Sequence, residues 1–401
     1  MTKPSFLEGG LSPAPRSHAA AGDFLRVFCA LMIGWYHIWQ QSWLYPQLRL
    51  GPVELNFAPY VRAGYMFVDV MLLLSGFLLY LPYANGKKVA TRDFYARRAM
   101  RILPSYWLCL LGMLVFTLVT EGFTKPLDLA KDLLAHLTFT HNLFRVSYLG
   151  TRLGGVLWTL AVEVQFYLLL PALAPLFKKH PLVCYGAMVG AALCFQKQWT
   201  HPMADTSMFI NRLPNMLDVY ANGMLAAQLY AKLARRRDHR ALIAAAGTAA
   251  CVIGAWGALK VVSAQAGING YDALRLGQID HRFMLSFCGA LFLAGGSLSF
   301  GPVRALLSNP PIRFLSGLTF NFYMWHQWLA VRLKLWRIPP YLAEENPHMA
   351  GEMPWQLHYT LLCFIAALAL SALITYLVEK PCARWGSRKL EAWKARRRND
   401  S

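Results

Sequence analysis

"FLRVFCALMIGWYHIWQQSW", residues 24–43, decides the fold class. The stretch is apolar over most of its length and holds no acid and no proline. An α-helix rises 1.5 Å per residue, so about twenty residues cross the roughly 30 Å of hydrocarbon in a bilayer. Yet the stretch keeps Arg26 and His37. An arginine at the centre of a membrane helix costs about 3 kcal/mol on insertion scales. Eleven residues are close to three helical turns, so the two side chains share a face, about 16 Å apart along the axis.

Similar runs recur along the chain. Of its 401 residues 56% are hydrophobic and 15% charged, with a mean hydropathy of +0.33. A water-soluble protein of this size carries more charge. In lipid each span must satisfy its own backbone polar groups, which selects helix. The expectation is an all-α, polytopic transmembrane helical bundle of about ten spans. They fall at 23–42, 61–82, 102–120, 156–177, 182–199, 215–233, 241–262, 282–300, 314–335 and 357–378. "LLAHLTFTHNLFRVSYL", 133–149, is amphipathic and short. It reads as interfacial or re-entrant, an eleventh membrane element if it enters the bilayer. The expected organisation is an N-terminal tail at 1–22, a transmembrane domain at 23–378 and a basic C-terminal tail at 379–401.

The net charge of +20 lies in clusters between the spans. That pattern is an orientation signal rather than a nucleic-acid footprint. With the N-terminus inside, about 25 of the 40 Lys and Arg fall on the cytoplasmic side or at its edge. Both termini are therefore expected in the cytoplasm of a multi-pass cell-membrane protein. The first 22 residues are polar and proline-rich, and no cleavage site follows the first span, so no secretory signal is expected. The eight cysteines lie mostly inside apolar runs without C-x-x-C spacing, so neither a disulfide framework nor a metal site is expected. No internal repeat is visible.

His37 falls about 8 Å below the outer surface in this topology, five residues from the end of its span. Alone, it reads first as a structural histidine bonded to a neighbouring helix. Other polar groups fall at a similar depth: Glu163 in "GGVLWTLAVEVQFYLLLPAL", Asp69 in "YMFVDVMLLLSGF", and Asn321, Tyr323 and His326 around "FNFYMWHQW". Ionisable groups inside a membrane are costly and mark polar cavities or transport paths. At the inner face, "FYARRAMRILPSYW" sets Arg98 and Arg101 three residues apart on one helix face, with Pro104 expected in the first turn of the third span. The cluster reads either as a lipid-headgroup grip or as an anion site, which Arg26 joins at the same level. A phosphate-sized site inside and a His–Glu pair nearer the outside suit a donor with a charged head and a long arm, such as acyl-coenzyme A.

These stretches resemble the acyltransferase-3 family of membrane acyltransferases over about residues 20–385. The likeness rests on R-x10-H at Arg26 and His37, "FVDVMLLLSGFLL" at 67–79, and R-x-x-R at Arg98 and Arg101. "LWTLAVEVQFYLLLP" at 157–171, "FYMWH" at 322–326 and "YLVEKP" at 376–381 complete it. The resemblance implies transfer of an acyl group, commonly acetyl, from cytoplasmic acyl-CoA to a hydroxyl of a cell-envelope carbohydrate, glycolipid or related acceptor. It implies no permanently bound cofactor. By the same likeness His37 and Glu163 are catalytic, with His37 a general base or a transient acyl carrier. Arg26, Arg98 and Arg101 hold the donor, and Ser75 and Trp158 join Asp69, Asn321, Tyr323 and His326 as candidate pocket residues.

Many relatives read "SVEEQF" where this chain has "AVEVQF", so Val164 replaces a second carboxylate. Some carry a C-terminal esterase-like domain, and here transfer is expected from this chain alone or with a separate partner. The rival class is a transporter using the same intramembrane polar groups, and a non-catalytic scaffold would leave the ordered motifs unexplained.

Overall fold

The computed structural model describes residues 19–122, 125–202, 205–236, 238–341 and 352–399. Residues 1–18 of the expected tail at 1–22 lie outside the described residues, while Ala20–Gly22 already belong to the first helix.

The described chain is almost entirely helical. Its main elements are α1 (Ala20–Ser42), a hairpin of β1 (Gln47–Leu50) and β2 (Val53–Asn56), α2 (Phe67–Ala84) and α3 (Thr91–Glu121). They continue with α4 (Pro126–Leu137), α5 (Trp158–Lys179), α6 (Pro181–Phe195), α7 (Leu217–Leu233), α8 (Arg240–Ala266) and α9 (Tyr271–Leu298). Then follow α10 (Thr319–Leu335), α11 (Met353–Ile374) and α12 (Lys380–Asn399), with a π turn between the last two. The hairpin pairs antiparallel, Gln47 with Asn56 through Leu50 with Val53.

Each of the ten expected spans coincides with a helix, and the protein is an all-α polytopic membrane protein. Among the described residues, five helical stretches are both long and apolar enough to cross a bilayer: Gly64–Ala84, Thr91–Thr120, Gly155–Lys179, Arg240–Ala266 and Met353–Trp393. The others fall short for physical reasons. α6, α7 and α10 have 15, 17 and 17 residues. α1 and α9 carry charged groups such as Asp23, Arg26, Asp272, Arg275 and Arg282.

Several boundaries differ from the sequence reading. The third span begins at Thr91, so Arg98 and Arg101 lie within the membrane helix itself, and Pro104 sits in its interior rather than its first turn. Charge explains the extension: Asp93 stands in the first turn and pairs with Arg97 at 3.6 Å, one turn on. The eighth span starts eleven residues earlier than expected, at Tyr271, which places Arg282 mid-helix. The ninth breaks between Ser316 and Thr319. The stretch 133–149 is not one element: α4 ends at Leu137, Phe139 takes a left-handed φ of 55°, and two short helical turns follow at His141–Leu143 and Arg145–Tyr148. α4 is amphipathic in the inverted sense. Asp132 and His136 are buried, while Leu127, Leu134 and Leu137 point outward, which suits apolar surroundings. The expected C-terminal tail is helical as far as Asn399.

The chain divides into two compact units. The first comprises residues 1–88 and 172–316, with α1, α2 and α6 to α9. Its helices approach closely through small residues, as membrane helices do when dispersion and not hydrophobicity drives packing. A Cβ on Gly223 of α7 would collide with the Leu73 carbonyl of α2 and lie 2.9 Å from the Phe77 nitrogen. The second unit comprises 89–171 and 317–401, with α3 to α5 and α10 to α12. There α12 lies on the first turns of α3, Arg92 covering the Trp393 ring at 3.8 Å.

Candidate active site

In the first unit, α1 carries Arg26 and His37 on one helix, as the spacing requires. His37 is half-buried, and its Nδ1 lies 3.0 Å from Gln40 Oε1, one turn along. Gln40 Nε2 donates to the Tyr36 hydroxyl at 2.9 Å. The Tyr36 ring in turn packs on Tyr65 at 5.0 Å, and Gln265 donates to the Tyr65 hydroxyl at 2.7 Å. A Cβ on Gly64 would come 2.5 Å from the Met32 carbonyl and 3.1 Å from the Tyr36 Cβ, so this approach to α1 needs glycine.

Arg26 is anchored. Its Nη1 donates to Ser316 Oγ at 3.1 Å, and the Ser316 and Ser308 hydroxyls donate to Asp23 at 3.4 and 2.7 Å. Asp69 is fully buried and accepts from Arg282 Nε at 3.2 Å, while Arg282 Nη1 donates to the carbonyls of Ile210 and Asn215. This is a buried ion pair whose carboxylate is committed to a partner 213 residues away. Ser75 is half-buried on α2, six residues beyond Asp69.

In the second unit, Arg98 is half-buried and Arg101 exposed on α3. Among the described residues Arg98 has no carboxylate within salt-bridge distance, and its buried Nε has no acceptor. Its charge rests against the faces of Phe94 and Tyr167, at 5.9 and 6.0 Å. It lines a groove of about 170 Å³ with Tyr95, Ile102, Phe139, Val164 and Tyr167. Arg101 lies within electrostatic reach of Glu379.

Glu163, half-buried on α5, accepts a 2.6 Å bond from the Tyr167 hydroxyl one turn on. Tyr323 lies within electrostatic reach of Glu163 and donates to the Val156 carbonyl at 3.2 Å. Glu163, Tyr167, Tyr323 and Arg98 therefore form one neighbourhood. Trp158 is half-buried at the first position of the same helix, α5. Asn321 is buried and donates to Thr375 at 2.8 Å and Glu379 at 2.7 Å, while buried His326 donates from Nδ1 to its own helix, at the Phe322 carbonyl.

Four hydrogen-bond partners of these side chains escaped the sequence reading: Gln40, Tyr167, Glu379 and Arg282. Gln40 and Tyr167 stand three and four residues from His37 and Glu163, spacing that puts them on the same helix faces. Glu379 lies in the quoted "YLVEKP". No local pattern pointed to the pairing of Arg282 with Asp69.

Residues 20–376 match the family described as an acyltransferase domain (Acyl_transf_3). The chain is 30% identical over 183 residues to nodulation protein 10 of Rhizobium leguminosarum bv. viciae, across 42% of this chain and 47% of that protein. It is 29% identical over 164 residues to the putative peptidoglycan O-acetyltransferase YrhL of Bacillus subtilis (37% of this chain, 22% of that one). Identity to the peptidoglycan O-acetyltransferase OatA of Listeria monocytogenes is 28% over 159 residues (35% and 25%). The chain spans less than half the length of these curated relatives. No solved structure matches it.

Proposed function

Because the chain belongs to the acyltransferase-3 family, we propose that it is a membrane O-acetyltransferase. It takes an acyl group, acetyl in the first instance, from cytoplasmic acyl-CoA and places it on a hydroxyl of a cell-envelope carbohydrate or glycolipid. The observation that supports this reading is His37 itself: a half-buried imidazole on α1, on the same helix as Arg26, with Nδ1 3.0 Å from the Gln40 carboxamide.

Acyl transfer needs a base because an alcohol is a poor nucleophile until its proton leaves. The imidazole of His37 takes that proton as the acceptor oxygen attacks the thioester carbonyl. The carbon–sulfur bond then breaks, and the imidazolium returns the proton to the departing thiolate. The products are an O-acyl ester and free CoA. The same imidazole would carry the acyl group if transfer runs through a transient acyl-histidine.

Arg98 supports the donor half of the reading. A guanidinium with no acid partner, beside an apolar groove, offers a phosphate its planar fork of donors, and Arg101 adds charge one turn away. Glu163, paired with Tyr167, supplies the negative charge of this neighbourhood. The relatives named as peptidoglycan O-acetyltransferases support a carbohydrate acceptor. The cytoplasmic placement of both termini rests on the clustering of Lys and Arg.

The test is coupling. Purified protein in lipid nanodiscs, given acetyl-labelled acetyl-CoA, is expected to release free CoA in step with label appearing on an added envelope saccharide. Protein that moves the saccharide across the bilayer and leaves the thioester intact is a transporter, and the proposal fails.

A further inference from the structure

We propose that a groove in the first unit, lined by α7, α8 and α9, holds one anionic glycerophospholipid. An acyl chain fills the groove, and the phosphate headgroup rests on the cations of the α7–α8 connection. The site stands apart from the residues of the acyl-transfer reading.

The groove has a volume of about 360 Å³ and exists because of how the three helices meet. α9 packs against both α7 and α8, which scarcely touch each other. Glycines draw α8 onto α9: a Cβ on Gly254 would come 2.5 Å from the Cys288 carbonyl, and one on Gly247 2.9 Å from the Gly295 carbonyl. α7 is tied to α9 at one end of the groove, where Asn222 Nδ2 donates to Ser286 Oγ at 2.8 Å. Small side chains such as Ala226, Ala246 and Ala294 leave the gap between α7 and α8 open.

The walls call for hydrocarbon. Asn222 is the one polar residue among those lining the groove, and it is already bonded to Ser286 and Tyr185. A water there would find no set of polar partners. Leu229 of α7 and Leu242 of α8 are both exposed, so the groove opens on the surface of the helices. Along α9 it runs from Phe287 to Leu298, eleven residues or roughly 16 Å. That is close to half of the roughly 30 Å hydrocarbon core, the depth of one leaflet. One extended lipid tail matches this length.

Charge identifies the headgroup. The end away from Asn222 lies where α7 stops at Leu233 and α8 starts at Arg240. Residues 232–240 read "KLARRRDHR", five cations and one acid, Asp238. Lys232, Arg236 and Arg240 are exposed. Lys232 stands three residues beyond Leu229, and Arg240 three before Ile243, so each neighbours a residue of the groove wall. Arg235 donates to the Ala84 carbonyl at 3.0 Å, which anchors the connection to the end of α2. Half-buried Arg304, in the short helix Gly301–Leu307, lies within electrostatic reach of Tyr230 on α7. An apolar slot one leaflet deep that ends in cations fits an anionic lipid, since basic pockets between membrane helices hold such headgroups.

The test is native mass spectrometry of the delipidated full chain, with dioleoyl phosphatidylglycerol and dioleoyl phosphatidylcholine as probes. One phosphatidylglycerol per chain is expected, held about tenfold or more tighter than phosphatidylcholine. Joint replacement of Lys232→Ala, Arg236→Ala and Arg240→Ala should erase that preference. These side chains are exposed, so thermal unfolding without lipid should not change. Ala246→Phe, which places a ring in the groove from an exposed position, should remove the bound lipid. Equal affinity of the wild type for the two lipids overturns the proposal. So does a preference that survives the triple replacement, or lipid binding unchanged in Ala246→Phe. Tighter retention of palmitoyl-CoA than of phosphatidylglycerol would assign the groove to an acyl donor and also overturns it.

Discussion

A single histidine in an apolar run is the most legible feature of the chain, and its hydrogen-bond partner among the least. His37 stood out because a polar group inside a span is costly. Gln40 lay in the same twenty residues, but polar groups near the end of a span read as interface. Arg98 stood out as a cation expected at the inner face. What its position alone did not reveal is its surroundings: among the described residues no carboxylate within salt-bridge distance, a buried Nε without an acceptor, and aromatic faces on two sides. That environment gives a prediction. Arg98→Ala should raise the KM for acetyl-CoA by about tenfold or more with a smaller change in kcat, since a hydrogen bond to a charged group is worth about 1.5–3 kcal/mol. Steady-state kinetics with varied donor measures it, and an unchanged KM would favour a lipid-headgroup role.

Helices were placed well and their ends less well. Periodicity and length locate an apolar run, while charges at its margin decide how far the helix continues. α3 extends thirteen residues before Pro104 because Thr91–Arg101 is itself a good helix with an acid near its start. Proline in the interior removes one donor and does not end a helix whose neighbours satisfy the freed carbonyl. The start of α9 was misjudged because the stretch 271–282, "YDALRLGQIDHR", is too polar to read as part of an apolar run. The partner of Arg282, Asp69, is distant in sequence, and long-range pairing leaves no trace in a local pattern. The pair holds α2 to α9 within the first unit. Asp69→Ala or Arg282→Ala should each cost about 3–5 kcal/mol, because each leaves a buried charge uncompensated. Replacing both, Asp69→Leu with Arg282→Met, should recover much of that loss. Thermal unfolding in detergent completes the cycle, and additive losses would show that the two side chains do not act as a pair.

At the scale of the whole molecule, composition alone established a helical membrane protein, and the ten expected spans all coincide with helices. The division into two units was not legible. It joins segments far apart in sequence, residues 1–88 with 172–316 and 89–171 with 317–401. Nor was the helical state of residues 380–399, where a run of charges read as a solvated tail. Orientation follows from the positive-inside rule. A reporter active only in the cytoplasm should therefore work when fused after residue 401 and fail when inserted in the β1–β2 turn at Gly51. The reverse pattern would place the basic clusters outside and remove the cytoplasmic donor from the account.

The account depends on His37 as the group that accepts the acceptor's proton. The most direct measurement is release of CoA from labelled acetyl-CoA, with an envelope saccharide present, by wild-type and His37→Ala protein of matched thermal stability in bilayers. CoA and acetylated saccharide are expected from the wild type and neither from the variant. Equal turnover by the two proteins would contradict it.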